Sequence, residues 1–498
     1  MDRKKTPVLV GQAQLAHQEK TALQLDPLSM MAEVARMAVK DAGLQNIPRV
    51  DTLYVVNCIS KVLNEPAREL SKIIGIDPSE TGYTAIGATA PQWFVNLAAK
   101  KIYSGESEWV LICGAEAFYT SQQLPPMGMS LARYFTDDEA SLLASHVGDV
   151  RRPLTDIEMR YGLVLPVHIY SLFENALRAR KGQSMREHTD EIASFCAGMS
   201  AVASQNRFAW SKKTYTAHDI AAVDGQNRMI AYPYTKRMCA NMQVNQAACV
   251  LMTSMACAED AGVPKDKMIF LRGSGEAEDA YFVSERPDLW ASPSVAEAVE
   301  QALSQAPLTL DEVQYLDLYS CFPVASRITA DMLGVSSDNS RPLTVTGGMP
   351  YFGGPGNNYA MHAICHMMEI LRENPDSFGL VQALSWFISK HCAGLYSAKP
   401  GNTTWTPSVA GKKKEYPRVN VVSEFSGKGT IETYCLSCDR DGNPEYAVVF
   451  GRDNQKNRFL AKVANQDNIL EEMLKCEPIG KNGTVVCDES SALNQFYF

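Results

Sequence analysis

The order of apolar and polar positions along the first part of the chain predicts alternating strands and helices. Short apolar runs typical of buried strands alternate with segments in which apolar side chains recur every three or four residues, as on one helix face. We predict strands at 7–11, 52–58, 82–86 and 108–113, and helices at 26–43, at 65–74 and after Pro91. This alternation indicates a mainly parallel sheet with helices on its faces.

The second half of the chain repeats this layout. The pattern predicts strands at 268–272, 315–319 and 379–384, and helices at 292–305, 322–333 and 359–371. A glycine-containing loop precedes a helix and then a strand in both halves, at 87–91 and at 353–358. The repeat indicates two similar α/β halves produced by an internal duplication. We expect residues 82–86 and 315–319 to be central, buried strands of two sheets.

Two further regions have patterns of their own. Residues 114–237 are mostly helical by pattern, with the clearest helices at 159–183 and 185–207, and we interpret them as an inserted subdomain that covers a site. Beyond residue 402 the pattern changes to short alternating strands at 416–424, 429–438 and 444–451. We predict three units, 1–258, 259–402 and 403–498, the last a small OB-like or other β barrel that folds independently.

A glycine-rich stretch in the second half is the first candidate for a site. Residues 347–358 contain five glycines and two prolines, and a helical pattern follows directly. Such a loop brings backbone close to a ligand and aims helix N–H groups at it. A tight loop between packed elements is the alternative explanation of the same pattern.

Composition limits the class of protein. The formal net charge is −9 and the sequence has no long basic cluster, so nucleic acid is not the expected partner. No apolar run reaches the roughly 18–20 residues that span a membrane. The N-terminal residues have no signal-peptide core, so we expect a cytoplasmic protein.

The sequence gives little support for a metal site. Most of the thirteen cysteines lie in apolar segments, where free cysteine is usually a small buried side chain. Cys435 and Cys438 form a C-x-x-C pair, but a second pair at zinc-ribbon spacing is missing. His362 and His366 are spaced i, i+4 on a predicted helix without an evident third ligand. We therefore predict no metal and no tightly bound cofactor.

Five motifs together resemble the thiolase superfamily over residues 5–400, with the closest likeness to sterol-carrier-protein-type thiolases and thiolase-like proteins with an added C-terminal β domain. They are Gly87-Ala-Thr-Ala-Pro-Gln-Trp93, Val244-Asn-Gln-Ala-Ala-Cys-Val-Leu251, Asp317-Leu-Tyr-Ser-Cys-Phe322, Gly347-Gly-Met-Pro-Tyr-Phe-Gly-Gly-Pro-Gly356 and Ser389-Lys-His-Cys-Ala-Gly394. The resemblance implies an α/β duplicated thiolase fold, with two βαβαβαββ-type halves layered α/β/α/β/α, a helical insertion and a small C-terminal antiparallel β domain.

The chain departs from the family at each catalytic position. The family's nucleophilic cysteine falls at Gly87, and its histidine before the loop proline falls at Gly354. The second family cysteine falls near residues 384–385, where there is none, and the Asn-Glu or His-Asp pair is replaced by Tyr319 and Ser320. The usual catalytic set is therefore not matched.

The remaining polar residues supply the candidate site. We predict Cys321 as acyl acceptor and His391 as its base, because a strand end entering a helix is a place where thiols are activated. The alternative for Cys321 is that it packs in the core. The alternative for His391 is that its side chain is already hydrogen-bonded within the protein. Tyr319 and Ser320 are further catalytic candidates. The predicted ligand-binding residues are Gly87, Thr89, Gly353, Gly354, Asn357 and Asn358.

By this resemblance, the predicted function is a divergent acyltransferase that acts on an acyl-CoA thioester, in lipid metabolism. The alternative is a catalytically silent CoA- or acyl-CoA-binding protein or partner subunit. Coenzyme A or acyl-CoA is the expected small-molecule partner. The expected macromolecular partner is a second copy of the chain, or another protein bound through the C-terminal domain.

Overall fold

The first α/β half follows the predicted order of elements. The computed structural model describes residues 2–18, 26–120, 146–402, 405–407, 414–464, 466 and 468–498. Asp26 caps the first helix by accepting a hydrogen bond from the Ser29 backbone N–H, and Pro27 occupies its first turn, as the sequence predicts. The elements are β1 Pro7–Ala16, α1 Pro27–Asp41, β2 Thr52–Val55, α2 Pro66–Ile74, β3 Glu80–Tyr83, α3 Ala90–Ser104 and β4 Trp109–Ala117.

The rest of the chain contains the insertion, the second half and the C-terminal region. The insertion and its return strand comprise α4 Asp156–Arg160, α5 Pro166–Arg180, α6 Met185–Gln205, α7 Ala217–Ala221, β5 Met229–Ala231, β6 Tyr234–Thr235, β7 Asn245–Ser254 and α8 Met255–Asp260. The second half comprises β8 Ile269–Glu278, α9 Pro293–Ser304, β9 Tyr315–Leu318, α10 Pro323–Leu333, α11 Tyr359–Glu373, β10 Phe378–Ser385 and β11 Lys390–Ser397. The C-terminal elements are β12 Val421–Val422, β13 Gly427–Cys438, β14 Pro444–Arg452, β15 Arg458–Val463, α12 Ile469–Met473, β16 Asn482–Asp488 and β17 Leu493–Tyr497.

Strand order confirms the duplication. The two halves form one nine-stranded sheet in the order β3-β2-β4-β7-β1-β8-β11-β10-β9. From the centre outward, β1, β7, β4 and β2 of the first half correspond to β8, β11, β10 and β9 of the second. Beyond β9, the Leu318 N–H donates to the carbonyl of Leu343, so that segment takes the place that β3 has beside β2. The halves join through the antiparallel β1–β8 pair.

The prediction that residues 82–86 and 315–319 are central strands of two sheets was wrong. The corresponding strands, β3 and β9, end a single continuous sheet. β9 is nevertheless mostly buried. An apolar run indicates burial on both faces, whereas position in the sheet depends on hydrogen-bonded edges that side-chain pattern does not encode.

Helices cover the sheet in layers. One core cluster contains α3 and α11 together with the residues of both halves' strands on which these two helices pack. A second cluster places α1 and α2 on the opposite face of the first half, and a third places α9, α10 and the insertion helices against the second half. The layering agrees with the expected α/β/α/β/α fold. Within the described ranges, no helix is long and apolar enough to cross a membrane.

The C-terminal strands close into a barrel. β13 pairs with β14, β14 with β15, β15 with β17, β17 with β16, and β16 with β13. With α12 between β15 and β16, this is the order of a five-stranded Greek-key barrel of the OB type. The barrel is not purely antiparallel, because β15 and β17 run parallel.

The barrel shares its core with the insertion. Strand β5 pairs with β13 at Ala231 and Ser437, so the insertion adds strands to the barrel sheet. The insertion is therefore not only helical, and the predicted helix at 159–183 is two helices, α4 and α5. Cys435 and Phe450 of the barrel belong to the same apolar cluster as α5, α9 and α10. The domain boundaries at 258 and 402 stay predictions.

Candidate functional site

A cleft of about 420 Å³ lies at the N-terminal end of α3. One wall is the loop before α3 with Gly87 and Thr89, followed by Trp93 one turn into the helix. The facing wall contains Ser385 at the end of β10, Trp386 in the connection to β11, and Cys392 in β11. Sequence reasoning placed Cys392 among the polar residues near the site but did not assign Ser385 or Trp386 to it. The volume is in the range of small-molecule sites.

The hydroxyl groups of Thr89 and Ser385 meet in this cleft. Their oxygens lie 2.6 Å apart, and the Thr89 backbone N–H donates to Ser385 Oγ at 2.9 Å. A Cβ atom built on Gly87 would lie 2.8 Å from the same Oγ. The Ser385 hydroxyl therefore fills the space next to the position where the resemblance puts the nucleophilic cysteine.

Cys392 lies beside the hydroxyl pair but is not an activated thiol. Burial raises the pKa of Cys392 well above its usual range, Glu276 raises it further, and a hydrogen bond with Thr89 opposes this only in part. A thiol of this kind stays protonated at neutral pH and is a poor nucleophile. The thiol that borders the cleft is therefore not predisposed to attack a thioester.

The charged walls of the cleft are paired. Lys100 contacts Glu276 at 3.3 Å, and Lys390 contacts Asp149. Burial opposes the charge of Asp149, but hydrogen bonds from Arg151 and Lys390 outweigh it and keep the pKa of Asp149 below its usual range. Burial also lowers the pKa of Lys390, against the effect of Asp149. These pairs fix the walls, because breaking one leaves a partly buried charge.

The glycine-rich loop supports the cleft from behind. The side-chain oxygen of Asn357 accepts a hydrogen bond from the Gly87 N–H at 3.0 Å, and its NH₂ group donates to the Asn57 carbonyl at 3.2 Å. Asn358 is buried against Gly114. Gly353, with φ of +117°, packs closely on Gln246, and Gly354 on Met349.

The structure therefore divides the predicted ligand-binding residues into two groups. Gly87 and Thr89 line the cleft, whereas Gly353, Gly354, Asn357 and Asn358 are not among its lining residues. In this loop, a Cβ at several of the glycines would collide with protein side chains, so they serve close packing. Asn357 acts on the cleft indirectly, by holding the Gly87 N–H.

The structure does not bring Cys321 and His391 together at the cleft. His391 borders the cleft, and Cys321 does not. Burial raises the pKa of Cys321 to about 12, and the nearby Tyr170 hydroxyl opposes this only in part. The sequence predicted activation from a strand end entering a helix, but desolvation of the thiol is the larger effect here.

Both ring nitrogens of His391 already have partners. Gln382 accepts from the Tyr319 N–H through its oxygen, so its NH₂ group faces Nδ1 of His391 at 3.1 Å. Ser292 donates its proton to Asp279, so Ser292 Oγ accepts from Nε2 of His391 at 2.9 Å. Burial lowers the pKa of His391 to about 4. His391 is therefore a neutral imidazole that is hydrogen-bonded within the protein.

Ser320 holds the glycine-rich loop, and neither Ser320 nor Tyr319 lines the cleft. Ser320 Oγ accepts from the Met349 N–H at 3.1 Å and donates to the Tyr359 hydroxyl at 3.3 Å. Tyr319 is buried, and burial raises the pKa of its hydroxyl well above the usual value. Their place at the end of β9 is what the motif indicates, but their contacts are internal.

The residues suspected of metal binding have other environments. His362 is buried, with Nδ1 2.9 Å from the side-chain oxygen of Gln14, and Cys435 and Cys438 are buried in β13. In the described ranges, no group of three or more His, Cys, Asp and Glu side chains is placed to hold a metal ion.

Comparisons of sequence and structure identify proteins that are similar to this chain. The family model described as "Thiolase-like protein type 1 additional C-terminal domain" matches residues 409–490, which include most of the barrel. A crystal structure of a monomeric SCP2-thiolase-like protein type 1 (STLP1) from Mycobacterium smegmatis is 31% identical over 100% of both chains, with a TM-score of 0.84. No curated protein matches the sequence.

A second solved structure shows the fold alone. The protein described as an Ltp2-ChsH2(DUF35) aldolase is 16% identical, with a TM-score of 0.62. The match covers 80% of this chain and 98% of the other.

Proposed function

The chain belongs to the family of SCP2-thiolase-like proteins of type 1, and we propose that its cleft binds an acyl-CoA thioester without transferring the acyl group to a cysteine. The observation that carries this proposal is the position of Ser385 Oγ, 2.8 Å from where a side chain at Gly87 would begin. The reacting centre of the fold is retained as a cleft, and the nucleophile's space is filled by a hydroxyl.

The thiols near the site support a noncovalent role. Burial raises the pKa of Cys392 in the cleft, and it also raises the pKa of Cys321, which is partly exposed and does not line the cleft. His391 uses both ring nitrogens internally. Acyl transfer through Cys321 and His391 stays a prediction that this geometry does not favour, because an acyl acceptor must be a thiolate within reach of the thioester.

The cleft has groups suited to the reactive end of a thioester. Thr89 and Ser385 supply hydroxyls, and Trp93 and Trp386 supply apolar surface for an acyl chain or pantetheine arm. Lys414 also borders the cleft and supplies a positive charge toward a phosphate-bearing ligand. A cytoplasmic location, a place in lipid metabolism and a partner protein at the barrel stay predictions.

Calorimetric titration with acetyl-CoA tests where the ligand binds. We expect saturable binding to the wild type and its loss in Thr89→Phe, because the aromatic ring would fill the cleft. Thr89 makes no side-chain capping bond to α3, so the substitution removes no helix cap.

Thr214→Phe is the matched control, since Thr214 is exposed on the loop between α6 and α7. It should bind acetyl-CoA as the wild type does. Equal binding to the wild type and to Thr89→Phe would overturn the assignment of the cleft.

A further inference from the structure

The Thr89–Ser385 pair has a surplus of hydrogen-bond donors. Ser385 Oγ accepts from the Thr89 N–H at 2.9 Å, and the two hydroxyl oxygens lie 2.6 Å apart. Two hydroxyls carry two protons, and only one of them can lie between the two oxygens. The other proton must point elsewhere.

This second hydroxyl proton can point into the cleft. Ser385 is 2% exposed and Thr89 is partly exposed, and both line the cleft. Cys392 also lies beside the pair, close enough for Thr89 to lower the pKa of its thiol in part. The sulfur of a protonated thiol is a weak acceptor, so a stronger acceptor entering the cleft would replace it at small cost.

The donor is also strengthened by its neighbours. The Thr89 N–H polarises the Ser385 oxygen, and hydrogen bonds in a chain reinforce one another. On the other side of the loop, Asn357 holds the Gly87 N–H, so that N–H is not the group offered to a ligand. The hydroxyl pair is thus an uncharged donor that the cleft presents at the N-terminal end of α3.

We propose that the Thr89–Ser385 hydroxyl pair recognises the carbonyl oxygen of the ligand and makes the cleft selective for thioesters over thioethers. This inference rests on the proposed function, because it assumes that a CoA derivative enters the cleft. It assigns a binding role to Ser385, which lies near the place where the resemblance puts the family's second cysteine. No covalent step is involved.

The test compares two ligands that differ only at the carbonyl group. Acetyl-CoA has the thioester oxygen, and S-ethyl-CoA has a methylene in its place. We expect the wild type to bind acetyl-CoA about five- to tenfold more tightly, the size of one hydrogen bond to an uncharged group. In Ser385→Ala, the affinity for acetyl-CoA should fall to that for S-ethyl-CoA, which should itself change little.

Two further variants separate this role from a packing effect. Thr89→Ser keeps both hydroxyls and should keep the preference. Ser389→Ala removes a buried hydroxyl of the same connection that donates to the Tyr281 carbonyl and does not line the cleft, so it should keep the preference too.

The outcomes are distinct. A preference for acetyl-CoA that persists in Ser385→Ala, or is absent from the wild type, overturns the inference and leaves the proposed function standing. If the wild type binds neither ligand at millimolar concentration, the proposed function fails and the inference fails with it.

Discussion

A chain truncated after residue 402 is expected to lose its soluble, cooperatively folded core. The sequence alone suggested the opposite, because composition and strand pattern change near this residue. The contacts across the junction give the physical reason. The apolar cluster that contains α5 and α10 also contains Cys435, Val448 and Phe450 of the barrel, so the truncation would expose that cluster to water.

Polar contacts across the same junction would also be lost. Arg178 of α5 is 1% exposed in its side chain and pairs with Glu477. Asn175 donates to the Tyr434 carbonyl at 3.0 Å, and Thr433 donates to the Leu172 carbonyl at 2.7 Å. Removing the barrel would leave the buried guanidinium of Arg178 without its carboxylate partner, which destabilises the fold.

Soluble yield and a thermal melt of residues 1–402 measure this effect. Co-expression with residues 403–498 is the control, because it restores the missing surface without a covalent link, and it should recover a soluble complex. A truncated chain that is soluble and melts cooperatively by itself would show that the barrel is an accessory layer.

Replacement of Gly87 by cysteine is expected to create a site of acylation. Gly87 does not have a left-handed backbone conformation. Among the described residues, a Cβ added there would crowd Ser385, with its Oγ at 2.8 Å. The double variant Gly87→Cys with Ser385→Ala removes that obstacle. The introduced thiol would lie at the N-terminal end of α3, where a thiol pKa is lowered and thiolate becomes available. We expect incubation with acetyl-CoA to raise the label from background to about one acetyl group per chain.

Peptide mapping after the incubation locates the label. Ser385→Ala alone is the matched control and should stay unmodified. The exposed Cys476 reports nonspecific acetylation within the same molecule. A double variant that binds acetyl-CoA but carries no label at residue 87 would show that the thioester does not reach this loop.

The repeated layout of the halves was predictable because each element has its own local pattern. The cap at Asp26, the strand–loop–helix order and the alternation in β13 all lie within short windows of sequence. The likeness of the motifs then placed Gly87 at the nucleophile position. That placement depends on aligned residues and needs no side-chain contacts.

The site itself was less predictable, because its contacts join distant residues. Thr89 and Ser385 are 296 positions apart, and only the packing of α3 against β10 and β11 brings them within hydrogen-bond distance. The glycine-rich loop had the composition of a ligand loop, but its glycines are needed for close packing on residues such as Gln246. The local sequence around Cys321 suits an activated thiol, but burial, which depends on the whole fold, raises the pKa of this thiol.

Mass spectrometry tests most directly whether the chain binds acetyl-CoA without becoming acylated. One sample of the wild-type chain with acetyl-CoA is measured first under native and then under denaturing conditions. If the cleft binds acetyl-CoA without covalent transfer, the native spectrum contains a complex with one acetyl-CoA, and the denatured chain has the mass of the unmodified protein. A native spectrum without the complex, or an acetyl group that remains on the denatured chain, would contradict noncovalent binding.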